Sequence, residues 1–492
     1  MTTTSTAIPE RPTGRSLKRS LGLWMATALV IGNMVGSGVF LLPASLASIG
    51  PISIVAWVFT GAGAILLALV FGTLGRAYPR TGGPYAYSRR AFGDFIGFQT
   101  AWGYWIAAWA GNAAITVAFV GYLSVFWNDL ASNRALAAGV GLATIWLLTA
   151  VNAFGVREGG RLQLVTTVLK FVPLAVIGLV GLFFMKSGNF TPFSPGNSSV
   201  SDHFHAITTA AALTVWAFIG LESATIPAEE VKDPKRTLPL ATIIGTVATT
   251  ALYILATVAI MGMIPAAQLA NSASPFADAA RIAFGGSWDK VIAGVAMIST
   301  FGALNGWILL QGRVPLAAAE DGLFPKRFAK VNGSSGTPVF GLVVSSMLLS
   351  VLMVMNYNSS LVDQFTQVIL LATLTTLVPY AYSSAAQLQM LFTDRKLFDA
   401  RRLTRDAVIA GLAFAFSFWM IYGAGTEVIA KGFLLMLAGV PVYVYMKWRQ
   451  NTAPLVVDSA PAFGAARAPL APAAGTPVEV TNGATPLPRE QV

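Results

Sequence analysis

Long apolar runs, separated by short polar junctions, set the pattern of this chain. The runs fall at roughly 21–47, 51–75, 92–127, 134–154, 161–185, 203–230, 238–263, 287–318, 338–356, 362–391, 406–424 and 428–447. Most supply the roughly 20 apolar residues that carry a helix across hydrocarbon. The pattern predicts an all-α polytopic membrane protein with twelve transmembrane helices. The third run is longer than a straight crossing needs, so it predicts strong tilt or extension beyond the bilayer.

The polar junctions alternate in charge. One set holds Arg76, Arg80, Arg89 and Arg90, then Arg157 and Arg161, then Lys232, Lys235 and Arg236, then Arg313, Lys326, Arg327 and Lys330, then Arg395, Lys396, Arg401, Arg402 and Arg405. The other set holds only Arg134, Lys186, Arg281, Lys290 and Lys431. The terminal segments add Arg11, Arg15, Lys18, Arg19, Lys447 and Arg449 to the rich side. Basic junctions stay cytoplasmic, so both termini are expected there and the number of spans is even. Residues 1–20 then form a cytoplasmic tail, 21–449 the transmembrane domain and 450–492 a disordered cytoplasmic tail rich in Pro, Ala, Thr and Val. The polar, basic start predicts no cleaved signal.

Composition agrees. The chain is 55% hydrophobic and only 11% charged, where soluble domains carry about 25% charged residues. The net charge of +11 is accounted for by orientation, so no nucleic-acid partner is expected. Cysteine is absent and the only two histidines, His203 and His205, are read as loop residues. That excludes disulfides and thiol nucleophiles and argues against metal or haem sites. No cofactor is implied. No GK[ST] loop occurs, so ATP hydrolysis is not indicated.

Two runs are interrupted in the same way. The first contains Gly36-Ser37-Gly38-Val39-Phe40-Leu41-Leu42-Pro43 and the sixth Gly220-Leu221-Glu222-Ser223-Ala224-Thr225-Ile226-Pro227. In each, a proline follows a mid-run glycine by seven positions. Such breakers are costly in hydrocarbon unless they line a cavity, and matched interruptions in two halves point to a transporter site. The first run leaves the cytoplasm and the sixth enters from outside, so the halves are inverted. Glycine also packs membrane helices closely, and the shared spacing is what favours the break. An unwound segment frees N–H groups for a carboxylate, and freed carbonyls hold an ammonium. That suits the zwitterionic head of an amino acid.

At these residues the chain resembles the amino acid–polyamine–organocation superfamily, and most closely the basic amino acid and polyamine antiporters, the bacterial arginine–agmatine antiporter in particular. The resemblance runs from about Leu21 to Lys447 through GNMVGSGVFLLPASLAS, GGPYAYSRRAFG, YWIAAWAGN, LTVWAFIGLESA, VKDPKRTLPLATI, AIMGMIP, SASPFADAAR, AAAEDGLFP and TLVPYAY. It implies a five-plus-five inverted repeat of the leucine-transporter type with two additional helices, often as a homodimer. It places the substrate head group at Ser37, Gly38 and Ile219, with Asn33 beside the unwound segment. Trp216 would cover substrate from outside, and Trp307 would stack on a guanidinium that Asn112 and the carbonyls of Ala107 and Ala108 also contact. Tyr104, Glu222 and Tyr380 match a cytoplasmic gate, and Tyr85 a position linked to pH response. A cation over a tryptophan face gains about 0.5–2 kcal/mol. Read alone, the tryptophans also suit packing or the membrane interface, Asn112 suits interhelical hydrogen bonding, and Glu222 a structural role.

Three departures bear on substrate. The tenth-run hydroxyl that helps hold guanidinium is replaced by Ala372, a loss of about 1 kcal/mol. Two further lining positions read Ala108 and Ile115. Lys170 stands inside LVTTVLKFVPLAVIG, where a lysine costs about 2.5–3.5 kcal/mol. Snorkelling to the interface is one reading. Proton-coupled members of the superfamily carry a lysine in this helix, where its ammonium stands in the place of Na⁺. The expectation is an exchanger of a cationic amino acid for its decarboxylated amine or another amino acid. Proton-coupled symport of neutral or broad-range amino acids through Lys170 is the alternative, and a channel or receptor is disfavoured because the runs hold few polar residues. The partners are a small amino acid or amine and the lipid bilayer of a bacterial inner membrane.

Overall fold

Every apolar run must satisfy its own backbone in hydrocarbon, and helices do so internally. The computed structural model describes residues 19, 21–80, 82–154, 160–194, 199–333 and 336–452. The expected tails at 1–20 and 450–492 lie outside the described residues except at their inner ends, as does Arg157. Among the described residues no strand forms, and eleven helices are long and apolar enough to cross a membrane. The helix Gly160–Gly181 occupies the fifth expected position, with Lys170–Phe184 as its apolar portion. The twelve expected spans therefore each find a helix.

The third span, Asp94–Leu123, is 30 residues long and so about 45 Å, more than a straight crossing uses. Its expected start at 92 falls in a separate helix, Pro84–Phe92. Gly93, at φ +80°, divides the two, a backbone region that glycine enters without a side-chain clash. His203 and His205 are not in a loop. They lie in the opening turns of the helix Val200–Thr214, which starts at a capping box of Ser199 and Asp202.

The first span breaks one residue earlier than the glycine pair suggests. Helix Leu23–Met34 ends at Val35, and Gly36 precedes a second helix, Ser37–Ala47. Ser37 and Gly38 are thus the first turn of the second half-helix, where N–H groups lack intrahelical acceptors. The sixth span is less symmetric than its spacing predicts. After Val200–Thr214 come a 3₁₀ turn at Val215–Phe218, a bend at Gly220 with φ +108°, and further 3₁₀ turns at Ser223–Thr225 and Ala228–Glu230. Pro227 has no N–H to continue a helix, and the side chain of Glu222 takes the Gly220 N–H at 3.1 Å.

The two interruptions pack on each other. A Cβ at Gly38 would stand 3.1 Å from the Cα of Ala217, and one at Gly220 would stand 3.0 Å from Asn33. The starts and finishes meet too, since Leu21 N–H donates to Glu230 O at 3.1 Å and Lys232 N–H to Leu21 O at 2.8 Å. The first, second, sixth and seventh spans gather around this crossing, the second and seventh packing on each other. The third, eighth and tenth pack together on the other side, backed by the fourth and ninth.

Candidate functional site

Two adjoining cavities, with four lining residues in common, lie at the crossing. The first is walled by Asn33, Met34, Gly36, Ser37 and Gly38 of the broken first span. The second is walled by Tyr104, Ala107 and Gly111 of the third span and Thr376 of the tenth. Ile115, Trp216, Ile219 and Trp307 border both. No charged side chain lines either one. The chemistry offered is therefore carbonyl oxygens, helix N–H groups, hydroxyls and aromatic faces.

At the end walled by the broken first span, Ser37 Oγ is buried with no hydrogen-bond partner among the described residues. The adjacent N–H groups belong to a helix start, which carries partial positive charge. Met34 closes the preceding half-helix, whose last carbonyls carry the opposite sign. An anion and an ammonium thus find complementary groups a few residues apart. Trp216 lies across this space. A Cβ at Gly38 would stand 3.2 Å from its Cδ1, and one at Gly111 would stand 2.7 Å from its Cη2. Two glycines therefore form the slot that admits the indole.

Behind Tyr104 of the cavity wall lies a buried acidic side chain. Tyr104 and Tyr380 donate to Glu222 Oε1 and Oε2, each at 2.5 Å, and the Gly220 N–H donates as well. Glu222 is fully buried. A hydrogen bond of this kind contributes about 0.5–1.5 kcal/mol net. This one side chain joins the sixth, third and tenth spans.

The remaining expected residues are placed as follows. Asn112 is buried and lines neither cavity; its Nδ2 donates to Gln311 Oε1 at 2.8 Å. Ala108 is buried behind Ala107. Ala372 is also buried, and the tenth-span residue facing the cavity is Thr376. The Thr376 hydroxyl donates to Ala372 O at 2.9 Å, so a hydroxyl is present one turn from the expected place. Lys170 is 4% exposed and does not reach the surface by snorkelling. Its Nζ donates to Gly32 O at 3.4 Å, two residues before the end of the half-helix.

One residue that sequence reasoning missed is Tyr253 of the seventh span, Pro234–Met263. Its buried hydroxyl reaches Met34 O at 2.6 Å and Ala217 O at 3.1 Å, one carbonyl from each interrupted span. Its ring packs on Trp57 and Phe218 with centroids 5.2 and 5.7 Å apart. The available signal was a phenol deep in an apolar run, too far from its own main chain to be satisfied there as the neighbouring threonines can be.

At the basic end, Tyr85 donates to Asp321 Oδ2 at 2.7 Å. Burial, then the nearby Asp321 charge, push its phenol above the ordinary tyrosine value. Arg89 pairs with Asp321 at 2.8 Å and with Asp94 at 2.9 Å, and Lys447 pairs with Asp94 at 2.6 Å.

The sequence matches known proteins across this whole architecture. It is 34% identical over 428 residues to the cadaverine/lysine antiporter of Escherichia coli K12, covering 86% of this chain and 94% of that one. It is 34% identical to a putative arginine/ornithine antiporter of Bacillus subtilis 168, covering 86% and 96%. It is 32% identical to the arginine/ornithine antiporter of Pseudomonas aeruginosa PAO1, covering 87% and 91%. The amino acid permease family model matches residues 21–444, and the chain accordingly belongs to the amino acid permease family of the amino acid–polyamine–organocation superfamily, a multi-pass membrane transporter rather than an enzyme.

Proposed function

We propose that the protein exchanges a cationic amino acid for its decarboxylated amine, or for another amino acid, by alternating access across the cytoplasmic membrane. The observation that carries this reading is a pair of adjoining cavities bordered by both interrupted spans and by Trp216 and Trp307, with no charged side chain in their walls. The break is built for the ammonium and carboxylate that all amino acids share. A side-chain cation then meets aromatic faces, an attraction that grows as water is excluded. Relatives named for lysine, cadaverine, arginine and ornithine exchange support the same substrate class. The basic junctions support cytoplasmic termini. Rocking of the first, second, sixth and seventh spans against the rest would open the site to each side in turn, with Glu222 as the gate towards the cytoplasm.

Counterflow in proteoliposomes tests this. Vesicles loaded with lysine, arginine, ornithine or putrescine should accumulate labelled arginine or lysine, and empty vesicles should not. Competition by leucine without competition by lysine or arginine would defeat the cationic assignment.

A second reading, proton-coupled uptake, is favoured by Lys170. Its ammonium is buried against the half-helix that ends at the site, and a buried cation that changes charge between inward and outward states links a proton to the cycle. Lys170→Ala should then lose pH-dependent transport, while Lys170→Arg holds the site but does not cycle. A wild-type pH profile in reconstituted Lys170→Ala excludes this coupling.

A further inference from the structure

The wall between the third and eighth spans holds a directed chain of hydrogen bonds. Asn112 Nδ2 donates to Gln311 Oε1 at 2.8 Å, and Gln311 Nε2 donates to Ser346 Oγ at 2.9 Å. The hydroxyls of Ser346 and Thr149 lie 2.7 Å apart, and Thr149 also donates to Ile145 O at 2.8 Å. All four side chains are buried. The carbonyl of Ile145 can only accept. With the Thr149 proton on Ile145 O, Ser346 donates to Thr149. Ser346 can then only accept from Gln311, which turns its NH₂ that way and its oxygen towards Asn112. Asn112 must therefore present its own NH₂ to Gln311. Its oxygen, Oδ1, remains buried with no donor.

An unpaired amide oxygen in an apolar wall is costly unless something supplies a donor. Asn112 follows Gly111 and lies one turn before Ile115, both of which line the cavity. Gln311 lies one turn after Trp307 on the eighth span, Trp288–Glu320. The open acceptor thus belongs to a residue next in the chain to the cavity lining and not itself part of it, and a substrate cation reaches it only as that lining parts.

We propose that Gln311 is a specificity-determining positioning residue: it fixes the Asn112 amide so that Oδ1 accepts from the terminal ammonium or guanidinium of a cationic substrate. This rests on the cationic-exchange reading and names the residue that enforces it. An apolar side chain of equal length leaves Oδ1 unpaired, and sites built to hydrogen-bond a substrate group discriminate strongly against analogues that lack it. Trp307 alone would not, since an aromatic face also packs well on an apolar chain.

The test compares lysine with norleucine, which has the same chain length and no ammonium at its end, in reconstituted full-length protein. In wild type, lysine should have the lower KM. Gln311→Leu should shrink the ratio of the two KM values by about tenfold and leave the KM of norleucine within about twofold. Gln311→Glu, which keeps an acceptor for the Asn112 NH₂, should retain the ratio. Ser346→Ala removes the group that orients Gln311 and should give an intermediate ratio; it serves as the test where Gln311→Leu does not fold. No lysine preference in wild type defeats the cationic reading itself. An intact preference in both Gln311→Leu and Ser346→Ala overturns the role of Gln311, as does an equal loss for both substrates.

Discussion

At Tyr85 a hydroxyl and a charge meet in a half-exposed cluster, and its protonation state decides what it can do. Burial, followed by Asp321, raises the phenol above its ordinary value. The sign follows directly. The unfolded phenol ionises near pH 10 and the folded one above that. The folded form is thus a neutral donor throughout pH 5–8, and its contribution falls away only as pH rises above about 10. A pH response at this position therefore does not come from ionisation of the phenol. Tyr85→Phe should rescale transport by one factor at every pH between 5 and 8, as measured by initial uptake rates. A displaced midpoint would show that Tyr85 takes part in the titration. The same scale shows how a small shift alters a substrate argument. Ala372 indeed lacks a hydroxyl, but Thr376 brings one to the cavity from one turn away. Counting along a motif identifies a position, and the helix phase decides which side chain faces the space.

Among the elements, the interrupted spans carry the argument, and much of their geometry was legible. Gly220 signalled a bend because no other residue adopts φ +108° readily. Pro227 signalled the end of regular helix. The 3₁₀ character after Gly220 was not legible, because it depends on Glu222 reaching back to the Gly220 N–H and on two tyrosines from distant spans. The bond between Asn112 and Gln311 was hidden for the same reason, since the partners are 199 positions apart. Tyr253 is the clearest omission. One hydroxyl proton is shared between two carbonyls, so it registers the first interruption against the sixth. Tyr253→Phe takes this donor from Ala217 O and leaves Met34 O with the Gly36 N–H alone, at 2.8 Å, a cost of about 1–3 kcal/mol where no other group compensates. Because Met34 borders the head-group end of the cavity, the loss should fall on what all substrates share. KM should rise about tenfold for amino acids and amines alike, about 1.4 kcal/mol, with little change in kcat. A loss confined to one side-chain class would sink this account, as would a lowered melting temperature with unchanged KM.

Across the whole molecule, elements far apart in sequence are tied together in two layers, and the proposed gate makes these ties a test of access. The Glu222 cluster ties the third, sixth and tenth spans together beside the cavity. A second layer lies further out, where Arg89 of the helix Pro84–Phe92 bridges Asp94 at the start of the third span and Asp321 just past the eighth. Lys447 extends this layer to the last span, and Arg90 reaches Asp394 beyond the tenth at 3.0 Å. Isolated surface pairs contribute little, but networks with bidentate arginine contribute more. Arg89 is 19% exposed, Asp321 17% and Asp94 35%, so water screens the layer only in part. Arg89→Gln keeps a donor on a shorter side chain and removes the charge from both contacts. About 1 kcal/mol lost from the closed state corresponds to about a fivefold rise in the open population. The absence of cysteine in the 492 residues makes this measurable, because a single Ala107→Cys places the only thiol in the cavity wall. In vesicles exposing the basic end, its labelling by a membrane-impermeant thiol reagent should be about five times faster with Arg89→Gln than without it. Raised salt should speed labelling with Arg89 intact and do little once the charge is gone. Equal labelling rates in the two backgrounds would mean that the outer layer does not hold the bundle shut and that the Glu222 cluster closes that side alone.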